Sequence, residues 1–501
     1  MPTLIDILNS NAGRFCTKPI VRYRNYQLDY ARVLDRSDRL AQALRNLKYE
    51  QGDLIILFIP NIPEFVTAYF GCLKAGCRVI PMNLSFRKHE IKYIFNNPEV
   101  KGVIYWDRFE KKIVSVFEQL QNIPKLICVG KNIELESQSF EKIIESSQAI
   151  STDEYPEEGE EAVVLFSSGT SGNPKGVVLS HENILKSAES IVKNFEFTST
   201  DKIIGALPLY NFLGHSVIMN AGLLCGAEII LHTRFKPNEI VQSIQRSGAT
   251  VMVGTPTMYM QLAEYNDDQK IDTPGVRFGI VSGDFLYQDT ALKIKEKYGF
   301  PLIQSYGCVE TTSIISGSLL NGKTDVNNLG KFFDCVEAKL LDEKGNQIHF
   351  TEDYGELVIS SPMNMKRYFN NSSEEQENVS KEWVSPGDMC SRDDSGSLHF
   401  VCHNSEIIHK GNFPIIAGDI EAVISEHDSV HEVAVVGIPN KDYFQEVKAF
   451  ILKKHGNNTS EKEIIDFCAS KLPKYKVPKE VAFLDNFPRT ISGKILKRFL
   501  K

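Results

Sequence analysis

From Gly52 onward, short apolar runs alternate with amphipathic stretches. Leu54–Pro60 (LIILFIP) reads as a buried strand, Glu64–Gly76 carries apolar residues at helical spacing and ends in glycine, and Cys77–Pro81 reads as a second strand. His89–Asn96, Gly102–Tyr105, Glu110–Gln121 and Lys125–Val129 continue the rhythm. It returns at Lys202–Pro208, Glu228–His232, Pro237–Ser247, Val251–Thr255, Val276–Ser282, Leu286–Tyr298 and Leu302–Tyr306. Strands separated by helices imply parallel sheets covered on both faces, so two α/β subdomains are expected, at roughly 1–160 and 161–320. After Asn321 the texture changes. Ala338–Asp342, Gly355–Ser360 and Leu398–His403 read as strands joined by Gly/Asp turns, a β-rich subdomain closing a large N-terminal domain at residue 401. A small α+β domain then covers 402–501. In it Ile415–His427 and Glu461–Leu472 read as helices, and Glu432–Ile438, Glu446–Lys453 and Lys479–Leu484 as strands. The fold class is therefore α/β plus α+β.

Composition narrows the function classes. The chain has 501 residues, 42% hydrophobic and 24% charged, which is ordinary globular usage. Lys plus Arg number 56 and Asp plus Glu 64, so the net charge is −8, with no global attraction for nucleic acid or an anionic membrane. The ten cysteines form no CxxC pair and read as reduced thiols, which points to the cytoplasm. No apolar run approaches the ~20 residues of a membrane span, and the Met1–Arg14 stretch lacks the basic start of an export signal. Asp153–Glu161 (DEYPEEGEE) reads as a solvated acidic linker, and Lys497, Arg498 and Lys501 as a solvated basic tail.

The strongest local chemistry lies in Ala162–Val178, AVVLFSSGTSGNPKGVV. An apolar strand enters a loop of Ser167, Ser168, Gly169, Thr170, Ser171 and Gly172, followed by Lys175 and a second apolar strand. Glycines let successive N–H groups turn inward, hydroxyls add donors, and the lysine adds a point charge; together these suit a polyphosphate. The stretch does not fit the G-x-x-x-x-G-K-[ST] pattern, and a strand follows the lysine.

This segment resembles the phosphate-loop signature of the adenylate-forming superfamily, which includes acyl-CoA synthetases, peptide-synthetase adenylation domains and luciferases. Five further landmarks are similar to the family's and stand in its order: Gly52–Asn83, Leu207–Leu231 with Arg234–Met258, Ser305–Thr311 (SYGCVET), Trp383–Asp388 (WVSPGD) and Pro488–Ile495 (PRTISGKI). The pair Leu207–Leu231 and Arg234–Met258 resembles the acyl-CoA ligase branch in particular. The resemblance implies two half-reactions. A carboxylic acid and MgATP give an acyl-adenylate and pyrophosphate, and a thiol of CoA or of a phosphopantetheinyl carrier protein then takes the acyl group. It also implies a mobile C-terminal domain swinging about a hinge near Ser405.

Roles carry over by match. Lys494 matches the catalytic lysine and Glu310 the glutamate linked to Mg²⁺. Thr170 belongs to the catalytic set as well as to the phosphate loop. Gly283, Asp284 and Phe285 lie in the adenine loop, where Phe285 reads equally as a base-stacking ring or a core aromatic. Ser305, Tyr306 and Gly307 are expected along the adenine and acyl pocket, and Asp388 on the ribose hydroxyls. Asn211, Phe212, His215, Val217 and Cys308 are expected at the acid, His215 and Cys308 chiefly as wall residues. The apolar lining favours a fatty or aryl acid over an amino acid.

Four departures from the family pattern bear on function. Asn211 replaces a histidine, Pro386 a threonine, and Cys402-His403 a Gly-Arg pair whose arginine helps hold ribose. Ser405 and Asn412 alter the hinge and the loop beside the thiol path. His403 is expected to recover part of the arginine's role. These changes suggest a specialised ligase, with a carrier protein as a rival acceptor to CoA. A homologue that binds nucleotide without turnover, an amino-acid adenylating enzyme and a luciferase-like oxygenase share the nucleotide motifs and stand as alternatives.

Overall fold

The computed structural model describes all residues except 1, 118, 121–122, 132–134, 151–155, 168–173, 266–269, 321–327, 343, 349–353, 370–381, 412, 442, 455, 490–494 and 501. Contacts divide the chain into two units: Met1–Glu337 with Ile359–Val384, and Ala338–Val358 with Ser385–Lys501. The stretch expected as a β-rich subdomain of the large domain is thus shared between both units.

Two sheets build the first unit. Among the described residues, eight strands run in the order Arg367–Phe369, Lys175–Ser180, Glu161–Ser167, Arg78–Pro81, Leu54–Phe58, Val100–Trp106, Lys125–Val129 and Gln138–Ser139. The run from Glu161–Ser167 to Gln138–Ser139 is parallel; Lys175–Ser180 and Arg367–Phe369 add antiparallel. All five side chains of Leu54–Phe58 are buried, as a strand covered on both faces requires. Pro63 opens the following helix, Pro63–Lys74, where its missing N–H costs nothing.

The second sheet has nine described strands, with a parallel centre formed by Leu302–Gly307, Phe278–Val281, Val251–Gly254, Lys202–Gly205, Glu228–Leu231 and Pro19–Tyr23. Its core gathers Ile204, Met252, Tyr259, Val281, Ile294 and Leu302. Neither sheet is built from one continuous stretch of chain. The phosphate hairpin completes the sheet of Leu54–Phe58, and the N-terminal strand Pro19–Tyr23 joins the later sheet.

In the second unit, Asp388–Arg392 and Leu398–His403 pair antiparallel within a four-stranded sheet. A five-stranded sheet centred on Phe444–Lys453 carries the helices Ala417–Ser425 and Glu461–Lys471, which pack Ile420, Ile424, Ile464 and Cys468 against Val435, Val447 and Ile451. The helix expected from Ile415 begins at Ala417. Ile415 and Ile416 instead end the strand Phe413–Ile416, paired with Ile407–Lys410, because an isoleucine run suits a pleated surface as well as a helix face.

Two expectations about charge are corrected. Glu161 is not part of a solvated linker: its carboxylate takes Arg78 at 2.7 Å and Arg367 at 2.7 Å, and despite burial these guanidinium groups hold it below the usual carboxylate range. Lys497 is not a solvated tail residue. Its ammonium lies 2.9 Å from Glu421 and 3.6 Å from Glu406, with one-fifth of the side chain exposed. Burial opposes its charge, but the two carboxylates outweigh burial and it titrates above an ordinary lysine.

Candidate functional site

The phosphate hairpin pairs Ser167 with Lys175. Ser168, Gly169, Thr170, Ser171 and Gly172 lie outside the described residues, and Ser167 is described through its backbone alone. Beyond the hairpin, Gly176 faces Phe369 across the strand pair, and a Cβ there would stand 2.8 Å from the Phe369 Cβ and 2.9 Å from the Phe166 ring. This close approach admits only glycine. Next to it, the Lys175 ammonium rests 3.6 Å from the centre of the Tyr368 ring.

Glu310 follows the strand Leu302–Gly307 of the other sheet. The Tyr368 hydroxyl donates to Glu310 Oε1 at 3.3 Å, and the Met365 N–H donates to the Glu310 carbonyl at 2.8 Å. Burial raises the Glu310 carboxyl above its ordinary range, while the Lys175 charge and the Tyr368 hydroxyl pull the other way. Two residues on, Thr312 adopts a left-handed φ of 64°, a conformation costly for a β-branched residue. Its hydroxyl donates to the Met363 carbonyl at 2.5 Å and its own carbonyl accepts from Ser216 at 3.1 Å, so packing over-determines the turn that presents Glu310.

This donor set fits Mg²⁺ in one way. Among the described residues no three His, Cys, Asp or Glu side chains cluster as a metal cage. A single half-buried carboxylate suits an ion that takes one or two protein oxygens and completes its shell with phosphate and water.

The adenine-loop residues and Ser305–Gly307 are brought together by Gln304, a buried side chain that sequence reading passed over. Its amide donates to the Asp284 carbonyl at 3.0 Å, and its oxygen accepts from the Leu286 N–H at 3.2 Å. Gly283 and Asp284 are exposed and Phe285, Tyr306 and Gly307 half-buried, so Phe285 is not a core aromatic. Ser305 is buried.

On the acid side, Asn61 holds the segment before Asn211. Its amide donates to the carbonyls of Gly205 (3.1 Å) and Leu207 (2.7 Å) and accepts from Leu209 N–H at 2.9 Å. Asn211 accepts from Leu213 N–H at 2.9 Å and opens the π-helical turn Gly214–Asn220, a wide-turn geometry frequent at functional sites. Gly214 is obligatory there, since a Cβ would meet the Pro208 carbonyl oxygen at 2.1 Å. Asn211 and Phe212 are half-buried, whereas His215 and Val217 are wholly buried. His215 Nε2 meets the Tyr69 hydroxyl at 3.0 Å, and burial lowers its pKa to about 3, so it is neutral. Cys308 is half-buried and lies 3.4 Å from the Thr311 hydroxyl.

In the second unit, Asp388 and His403 stand opposite each other on paired strands, with His403 Nδ1 donating to Asp388 Oδ1 at 2.5 Å. Asp388 is buried and His403 about one-third exposed. The histidine at the arginine's place is therefore bound to the expected ribose acid. Ser385 bonds Glu356 beside Pro386, and Gly387 turns the chain with φ 80°. Lys494 and Asn412 lie outside the described residues. The carboxylates that hold Lys497, like the Tyr368 contacts, come from distant segments and left no local signal in the sequence.

The sequence model for AMP-binding enzymes matches residues 8–369, and that for the AMP-binding enzyme C-terminal domain matches residues 419–494. The chain belongs to the AMP-binding enzyme family. A long-chain-fatty-acid–CoA ligase of Bacillus subtilis (strain 168) is 26% identical to this AMP-binding enzyme, over 99% of this chain and 94% of its own. A 2-succinylbenzoate–CoA ligase of the same organism is 28% identical, over 96% and 94%. Among solved structures, the o-succinylbenzoate coenzyme A synthetase MenE from Bacillus subtilis, in complex with ATP and magnesium ion, matches with a TM-score of 0.84 at 26% identity over 98% of both chains. ATP-bound MatB from Rhodopseudomonas palustris shares the fold with a TM-score of 0.88 at 24% identity, over 99% of this chain and 98% of its own. Among the described residues no helix is long and apolar enough to cross a membrane.

Proposed function

We propose that this AMP-binding enzyme uses ATP to convert a carboxylic acid into its acyl-adenylate, releasing pyrophosphate, and then passes the acyl group to the thiol of CoA. The observation that carries the reading is the meeting of Lys175 and Glu310 on one tyrosine, where a cation and a half-buried carboxylate from two sheets stand beside the expected phosphate loop. The relatives named as acid–CoA ligases span nearly the whole chain and support the same reaction class.

The physical problem of the first step is charge. A carboxylate oxygen attacks the α-phosphorus, the bond to the β-phosphate oxygen breaks, and negative charge accumulates between two anions. Lys175 contributes a fixed cation at the phosphate loop, and Lys494 is assigned the second, near the attacked phosphorus. Glu310 is the residue that would hold Mg²⁺, whose chemistry is to neutralise phosphate oxygens. Asp388, oriented by His403, accepts the ribose hydroxyls, and Phe285 and Tyr306 bound the base. Asn211 and Phe212 border the acid, for which a fatty or aryl chain is the assigned class. In the second step the thiol sulfur attacks the acyl carbon and AMP leaves.

Acid-dependent exchange of pyrophosphate into ATP, run over fatty, aryl and amino acids, tests the reading. Exchange with an apolar acid, lowered by Lys494→Ala, is expected; no exchange with any acid refutes it. Single-turnover transfer from the adenylate to CoA or to a carrier protein then identifies the acceptor.

A further inference from the structure

Sequence reading gave Tyr368 no role, yet it touches both charged groups of the site. It is buried and lies on the short strand Arg367–Phe369, in register with Val177. The segment around it is stitched to both sheets. The strand pairs with Lys175–Ser180, while Met365 donates to the Glu310 carbonyl and Met363 accepts from Thr312. Its ring lies against the Lys175 ammonium at 3.6 Å and its hydroxyl donates to Glu310 Oε1 at 3.3 Å.

We propose that Tyr368 is a positioning residue that sets the separation and orientation of Lys175 and Glu310, so that one side chain prepares the triphosphate cation and the magnesium ligand together. This rests on the ligase reading above. The two contacts have different chemistry. A ring face steadies an ammonium group through its quadrupole and fixes where that charge sits. The hydroxyl occupies one carboxylate oxygen and so fixes the direction of the other, as outer-shell partners of metal ligands do. A tyrosine present only to fill space would show the same burial, but its replacement by phenylalanine would leave metal dependence untouched.

The full chain and its Tyr368→Phe and Tyr368→Leu variants are titrated calorimetrically with a non-hydrolysable α,β-methylene ATP analogue, with and without Mg²⁺. Thermal stability and the Mg²⁺ dependence of pyrophosphate exchange are measured alongside. Tyr368→Phe is expected to bind the metal-free analogue as the parent does, but to lose about tenfold of the gain that Mg²⁺ confers, the scale of an outer-shell metal contact. Tyr368→Leu is expected to weaken the metal-free complex as well. A Tyr368→Phe variant with the parent's Mg²⁺ dependence overturns the proposal, as does a pair of variants altered only in melting temperature. Should Tyr368→Leu fail to fold, the phenylalanine variant still decides. Absence of exchange in the parent protein counts against the ligase reading, while the calorimetry continues to judge Tyr368.

Discussion

Lys175 and Lys497 are the same residue type in two regions of the molecule, and their surroundings divide their work. In the first unit Lys175 leans on the face of Tyr368. In the second, Lys497 sits between Glu421 and Glu406, and Glu421 also accepts from the Val435 N–H at 2.6 Å. Two carboxylates neutralise a half-buried ammonium and make it part of the scaffold, whereas a ring supports an ammonium without adding a formal anion. The charge of Lys175 is felt by Glu310 while its ammonium rests on the Tyr368 ring, whereas the Lys497 ammonium is held directly by two carboxylates.

That contrast breaks or sharpens most clearly in paired substitutions. Lys175→Met is expected to lower pyrophosphate exchange about 10²- to 10³-fold, the usual effect of deleting one electrostatic contact to a transition state. Its melting temperature should stay close to the parent's; a large drop in stability would erase the distinction. Lys497→Met is expected to cost about 3 kcal/mol of unfolding free energy, near the low end for a broken buried ion pair because one-fifth of the side chain is exposed. Urea denaturation checks this, and an unchanged midpoint would return Lys497 to the solvent.

The smallest effect per residue concerns protons. His215 and His181 are buried, and burial lowers them to about 3 and about 4, for His181 against the raising influence of Glu160 and Asp6. Folded-state values below the unfolded value mean that the unfolded chain takes up protons first as pH falls below about 6.5. Stability is therefore complete above that pH and declines below it, by about 1.4 kcal/mol per pH unit for each histidine. Urea midpoints between pH 7 and pH 5 should show the decline, and His215→Gln should remove one histidine's share of the slope. An equal slope in the variant would contradict the assignment.

How much was legible beforehand follows from where the information lies. Leu54–Phe58 and Val251–Gly254 were readable because a strand buried on both faces is a plain apolar run. The family landmarks were readable because each is contiguous, and they supplied Lys175, Glu310 and Asp388 as expectations. Tyr368 was not, since three residues of strand offer too few alternations to read, and its two contacts belong to other segments. Gln304, Asn61 and Glu406 share that difficulty: each acts on backbone or charge brought near only by the fold. At Ile415 and Ile416 the local pattern served two structures equally, and pairing with Ile407–Lys410 decided.

The interleaving of the two sheets has a consequence for synthesis. The strand Pro19–Tyr23 leaves the ribosome long before its partner Glu228–Leu231, and Lys175–Ser180 has one open edge until Arg367–Phe369 emerges. Throughout that interval a nascent chain displays the apolar Val177, Val178 and Leu179 beside unpaired backbone, an invitation to aggregation. Chains released early would thus depend on chaperones far more than finished ones.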